Sequence, residues 1–365
     1  MVDIFSPFEI KGMEIRNRIM RSATAERMAD DLTGIPRESY YQHYEQLARG
    51  GVGLIITGHM YVHRAGKCHP EMTAIDHDDS IPHLARVADM VHSHGAKIIP
   101  QINFGGINCS REVNEINLSP SFFPDHSQST APNREISADE LDMLVESFAQ
   151  AATRAQSAGF DGVMLHGAHG YFISQTLSPY VNRRSDDWGG SFERRLTFLK
   201  KVAKAVRASV GDAFPLLIKL GVMDGKDIPG LTLEDGLKIV ASLEAMGLDA
   251  VEISSGLQYS SISSARSKPQ EAYFRPWAQQ ARQCTSLPIM LVGGFRSLSI
   301  MNEVLSSGDA DMISICRPLI CEPDLIELFK KGTKSKADCI SCGRCFAQKM
   351  DEGTRCRWKE NQARQ

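Results

Sequence analysis

The chain has 365 residues, 42% of them hydrophobic and 23% charged, with a formal charge of −3 and a pI near 6.4. That balance gives no basic footprint for nucleic acid or an anionic membrane, and both are excluded as partners. No apolar run approaches a membrane span, and the opening MVDIFSPFEIKG lacks the basic-then-apolar order of a secretory leader, so a cytoplasmic protein is expected.

Eight short apolar runs recur, each followed by a longer amphipathic or charged segment: RIMRSA (18 to 23), VGLIIT (52 to 57), AKIIPQI (96 to 102), DGVMLH (161 to 166), PLLIKL (215 to 220), DAVEIS (249 to 254), PIMLVG (288 to 293) and DMISIC (311 to 316). Eight β-then-α units predict an α/β fold, a closed (β/α)8 TIM barrel. Residues 1 to 17 are expected to cap its bottom. Helical spacing covers 38 to 50, 78 to 94, 137 to 158, 190 to 210, 232 to 247 and 297 to 308. Ser137 with Glu140 forms a capping box, Thr232 with Asp235 an acidic variant, and Gly95, Gly159, Gly247 and Gly308 stand where C′ glycines belong. Residues 103 to 136 are rich in Asn, Ser, Pro and Gly and too long for a plain connector, which predicts a lid or substrate loop at the active face. The division expected is a single barrel domain over 1–332 and a Cys-rich extension over 333–365.

A parallel α/β barrel presents its chemistry at the carboxyl ends of its strands. Those ends carry Ser22 and Thr24, His59, Gln101, His166 with His169 and Tyr171, Lys219, Ser254 and Ser255, Gly293 with Gly294, and Arg317. An amide, a cation, imidazole donors and a phenol, with few carboxylates, suit a polyfunctional cofactor better than a metal. Gly293 and Gly294 at the start of a helix, with Arg317 after the eighth strand, match the phosphate site that barrels build after strands seven and eight.

Six stretches together resemble the old yellow enzyme family of FMN-dependent ene-reductases. They are NRIM (17 to 20), GGVGLIITG (50 to 58), Gln101, HGAHGYFISQTLSPYVNRRSDDWGGSFERR (166 to 195), VGGF (292 to 295) and CRPLICEPDL (316 to 325). The resemblance implies FMN at the barrel mouth, reduced by NAD(P)H. Ser22, Ala23 and Thr24 would border it, with His59 beside the ring where a small residue is common. Gln101 would bond the pyrimidine edge, Lys219 stand near N1 and O2, and Gly293, Gly294, Cys316 and Arg317 grip the phosphate. His166 and His169 would hold the electron-withdrawing oxygen of an activated alkene, and Tyr171 would donate the proton. Lys219 stands where many members have Arg, Ala25 where relatives carry Thr or Cys, and Cys316 where they carry Gly. Arg27 replaces an aromatic substrate contact, which hints at a polar or anionic substrate. A homo-oligomer is also expected.

Nine cysteines and no leader argue for reduced thiols. Cys339, Cys342, Cys345 and Cys356 make C-x2-C-x2-C-x10-C, similar to the [4Fe-4S] segment of members like trimethylamine dehydrogenase and dienoyl-CoA reductase. An iron–sulfur cluster, zinc and a reduced remnant all remain open. With a cluster the chain would be an electron-transfer flavoprotein; without one, NAD(P)H would reduce FMN directly. Two further readings are weighed: a flavoprotein that only stores or senses FMN, and a zinc barrel hydrolase using His166, His169 and His59.

Overall fold

All eight apolar runs form strands in the computed structural model, which describes residues 2–124, 130–225, 227–257, 270–345 and 353–362. They are β1 (Ile19–Arg21), β2 (Leu54–Tyr61), β3 (Lys97–Asn103), β4 (Val163–Gly167), β5 (Leu216–Gly221), β6 (Ala250–Ser254), β7 (Ile289–Val292) and β8 (Met312–Ile315). Each pairs in parallel with its neighbours, and β8 returns to β1, so the sheet closes and leaves no edge.

The helices follow as a barrel requires: α1 (Glu38–Arg49), α2 (Ile81–Ser93), α3 (Ala138–Ser157), α4 (Thr197–Val210), α5 (Leu233–Ser242), α6 (Arg275–Arg282), α7 (Leu298–Ser306) and α8 (Leu325–Lys330). The Ser137 capping box forms in both directions, and the Thr232 hydroxyl accepts from the Asp235 N–H. The continuous helix expected over 190 to 210 is instead two pieces, Phe192–Arg195 and α4, joined at Leu196. Helix α6 was not anticipated: only Ala278 and Ala281 of its eight residues are buried, too few to write an apolar stripe.

The first residues form the expected plug. An antiparallel hairpin, Phe8–Ile10 with Met13–Ile15, sends Ile10, Met13 and Ile15 into one apolar cluster with the inward residues Met20, Ile99, Met164, Leu217, Ala250, Met290 and Met312. This seals the lower barrel against water.

The excursion after β3 differs from expectation. None of its described residues beyond Asn103 lines the large cavity at the barrel mouth. It buttresses the β4 loop instead: Asn108 Nδ2 donates to the Gly170 carbonyl at 2.7 Å, and Gln175 Nε2 bridges Gly105 and Gly170. Residues of the C-terminal extension lie against the barrel, with Ala337 N–H donating to Arg296 O at 2.9 Å and Thr354 N–H to Glu26 O at 3.0 Å. No helix of the described residues is long and apolar enough to cross a membrane.

Candidate active site

Along a strand every second side chain faces the same way. Two residues above the apolar plug, the barrel interior therefore turns polar all at once. Met20 is followed by Ser22, Ile99 by Gln101, Met164 by His166, Leu217 by Lys219, Ala250 by Glu252 and Met312 by Ser314. Above this layer opens a cavity of about 770 Å³. Ser22, Ala23, Thr24, Arg27, His59, Gln101, His166, His169, Tyr171, Lys219, Gly294, Cys316 and Arg317 all line it. Gly293 does not; only the second glycine of the pair reaches the wall.

Glu252, which sequence reasoning passed over, is fully buried and ties the layer together. Its Oε1 accepts from Ser22 Oγ at 2.8 Å, Ser314 Oγ at 2.6 Å and Lys219 Nζ at 3.0 Å, while Lys219 also donates to Ser22 Oγ at 2.8 Å. Lys219 is thus a cation paired with a buried carboxylate. The inward alternation that points to Lys219 would have found its partner one strand on.

The imidazoles are set as neutral donors. His166 Nδ1 accepts from the Ala168 N–H at 3.4 Å, and His59 Nδ1 accepts from Asn103 Nδ2 at 2.9 Å, which puts each ring proton on Nε2. Burial, reinforced by neighbouring cations and histidines, holds both rings well below the ordinary histidine pKa. Their unfolded value lies near 6.5. Below that pH the unfolded chain binds protons that the folded rings refuse, so their stabilisation is complete above about pH 6.5 and is lost as pH falls. Each ring is expected to remove up to about 1.4 kcal/mol per pH unit through that window, read from denaturant midpoints between pH 7 and 4, and H166Q should flatten the slope.

Tyr171 sits at the start of the short helix Phe172–Leu177, its ring 4.6 Å from that of His166 and 4.9 Å from that of His59. His169 adopts a left-handed backbone, φ 59°, and its Nε2 meets Ser254 Oγ at 2.8 Å. Phenol and imidazoles therefore converge on one end of the cavity.

At the other end Gly294 has φ 74°, and a Cβ there would stand 2.8 Å from the Tyr273 ring. Only glycine fits. Arg317 lies opposite, with Nη1 donating to Ser341 O at 3.2 Å.

Cys339, Cys342, Cys345 and Cys356 line a separate cavity of about 20 Å³ that shares Arg317 with the first. Among the described residues no three of them stand together as a metal site. Burial pushes the Cys345 thiol up to about 12 and raises that of Cys339. The donor type suits a cluster or zinc; the arrangement is not a closed site.

Residues 3–336 match the model of the NADH:flavin oxidoreductase / NADH oxidase family. The chain belongs to that family. The chain is 35% identical over 320 residues to an NADPH dehydrogenase of Geobacillus thermodenitrificans, covering 88% of this chain and 91% of the relative. It is 32% identical to a Thermoanaerobacter brockii NADH oxidase over 98% of its own length and 56% of that protein's. Its fold matches a 2-naphthoyl-CoA reductase complex with a TM-score of 0.90 at 24% identity, covering 94% of this chain and 54% of that one. The chain spans about half the length of these last two proteins. The family is one of flavin oxidoreductases, and FMN is the cofactor against which the cavity is judged. The cavity suits FMN by its volume and by its donors: an amide and an ammonium where the polar layer begins, and a glycine turn facing a guanidinium at the far end. Gly294→Ala is expected to lower the flavin-to-protein ratio of purified protein well below wild type.

Proposed function

We propose that the chain is an FMN-dependent NAD(P)H oxidoreductase that reduces a C=C bond conjugated to a carbonyl, carboxylate or nitro group. The observation that carries this reading is the placing of the Tyr171 phenol against the His166 ring, 4.6 Å between centroids, at the rim of the Lys219 layer. When bound, FMN supplies the hydride. The protein's part is polar and positional. His166 and His169 hold the substrate's electron-withdrawing oxygen, where charge builds as the β-carbon receives hydride. Tyr171 gives its proton to the α-carbon. Lys219, tempered by Glu252, sets the charge beside the pyrimidine edge, with Gln101 bonding that edge. Gly294, Cys316 and Arg317 close on the phosphate. In this reading the barrel over 1–332 carries the chemistry, and 333–365 is an appended segment.

FMN-loaded protein should bleach with NADH or NADPH under argon and recolour on adding an enone. Bleaching without recolouring would leave a flavin reductase and remove the alkene from the account.

A second reading, an electron-transfer flavoprotein with a [4Fe-4S] cluster, is supported by four cysteines around one small cavity beside Arg317. Iron and acid-labile sulfide in anaerobically purified protein decide between the two. The zinc hydrolase reading gives way to the family match. His166 and His59 each use Nδ1 to accept from an N–H donor, which suits fixed hydrogen-bond donors at Nε2.

A further inference from the structure

Arg27 lies on the loop after β1 and lines the cavity, yet its guanidinium makes no hydrogen bond among the described residues. Its nearest charged partner is Glu71, at 3.9 Å. Its backbone is left-handed, φ 55°, a conformation that a long side chain avoids unless its surroundings impose it. They do so from both sides. Thr354 Oγ1 and N–H donate to the carbonyls of Ala25 and Glu26 at 2.9 and 3.0 Å, while Arg37 N–H donates to Met28 O and Ala29 N–H to Glu71 O.

His69 lines the same wall. It is 7% exposed, and among the described residues neither its ring nitrogens nor the Glu71 oxygens have a partner at ordinary hydrogen-bond distance. Its Nδ1 is 3.7 Å from Glu71, so Arg27 and His69 flank one carboxylate from two sides. Glu71 is buried and does not itself line the cavity, so a ligand meets the guanidinium and the imidazole first. With Nδ1 directed at Glu71, His69 Nε2, which has no partner among the described residues, and the guanidinium donors of Arg27 are left to meet an acceptor from outside the chain. The spacing to the chemistry follows the rings: His69 is 5.8 Å from His59, which is 4.9 Å from Tyr171.

We propose that Arg27 and His69 form a carboxylate subsite, so that the preferred substrate is an activated alkene bearing a carboxylate several bonds from the double bond. This rests on the ene-reductase reading above and adds the second functional group. Arg27 grips the anion with the forked donors that planar carboxylates match, and His69 closes the other side.

The test pairs a methyl-ketone enone carrying a carboxylate on a three-methylene tether with its methyl ester. Binding of each to the oxidised FMN-loaded protein is followed by the shift in flavin absorbance. Wild type should bind the acid roughly 10- to 100-fold more tightly than the ester. In R27Q that ratio should collapse toward unity, while R27K should keep part of it. Equal affinities in wild type, or a ratio that survives R27Q, would overturn the subsite. The wild-type ratio stands alone if R27Q fails to retain flavin. Turnover of the ester by NADPH-reduced protein separately decides whether the alkene reading itself holds.

Discussion

Tyr171→Phe is expected to slow reoxidation of the reduced flavin by an enone about 10²- to 10⁴-fold, the range for losing a positioned general acid, while flavin reduction by NAD(P)H changes little. Phenylalanine keeps the ring that packs against His59, His166 and the cluster of Cys68, Cys109 and Met72, so the loop holds its shape. Only the hydroxyl is lost. Separate stopped-flow measurements of the two half-reactions check this. Equal slowing of both would make Tyr171 a structural residue of the cavity wall and leave the α-proton to come from water.

The second large effect is expected at Glu252. Glu252→Gln keeps an oxygen for Ser22, Ser314 and Lys219 to address, but removes the charge that Lys219 faces at 3.0 Å. Breaking a buried pair by removing one partner typically destabilises by about 3–5 kcal/mol, and chemical unfolding of the flavin-free variant should show a loss of that order. In flavin-loaded protein, Lys219 then acts uncompensated on the charge that accumulates near the pyrimidine edge on reduction. The two-electron potential should rise by about 30 mV or more, equivalent to about 1.4 kcal/mol. A potential that stays put or falls would mean that Lys219 does not face the flavin.

The barrel was legible because each strand is a short apolar run and each long helix writes a stripe. The site was legible in part because strand ends converge by geometry alone. What escaped has physical reasons. Glu252 looks like a stray polar residue inside AVEIS; its meaning lies in Lys219, Ser22 and Ser314 on other strands, which the barrel's closure brings to one oxygen. His69 belongs to a loop after β2, far from any strand end, and no local pattern marks it. The excursion after β3 carries the composition of a loop, but composition does not say whether a loop faces substrate or, as here, supports the segment that does. Gly293 and Gly294 read alike in sequence, and only backbone geometry separates them. The terminal cysteines were visible by spacing, but the convergence of their thiols depends on a segment that includes residues 346–352, outside the described residues.

The central claim is that hydride reaches the β-carbon from the cofactor and a proton reaches the α-carbon from Tyr171. Enone reduction run in D2O with ordinary NADPH or NADH, with the product examined by NMR, tests it most directly. The account predicts deuterium at the α-carbon in wild type, and a Tyr171→Phe variant whose flavin still bleaches but which forms the α-deuterated product far more slowly. Equal rates of α-deuteration in wild type and Tyr171→Phe, or no saturated product from a protein whose flavin does bleach, would contradict it.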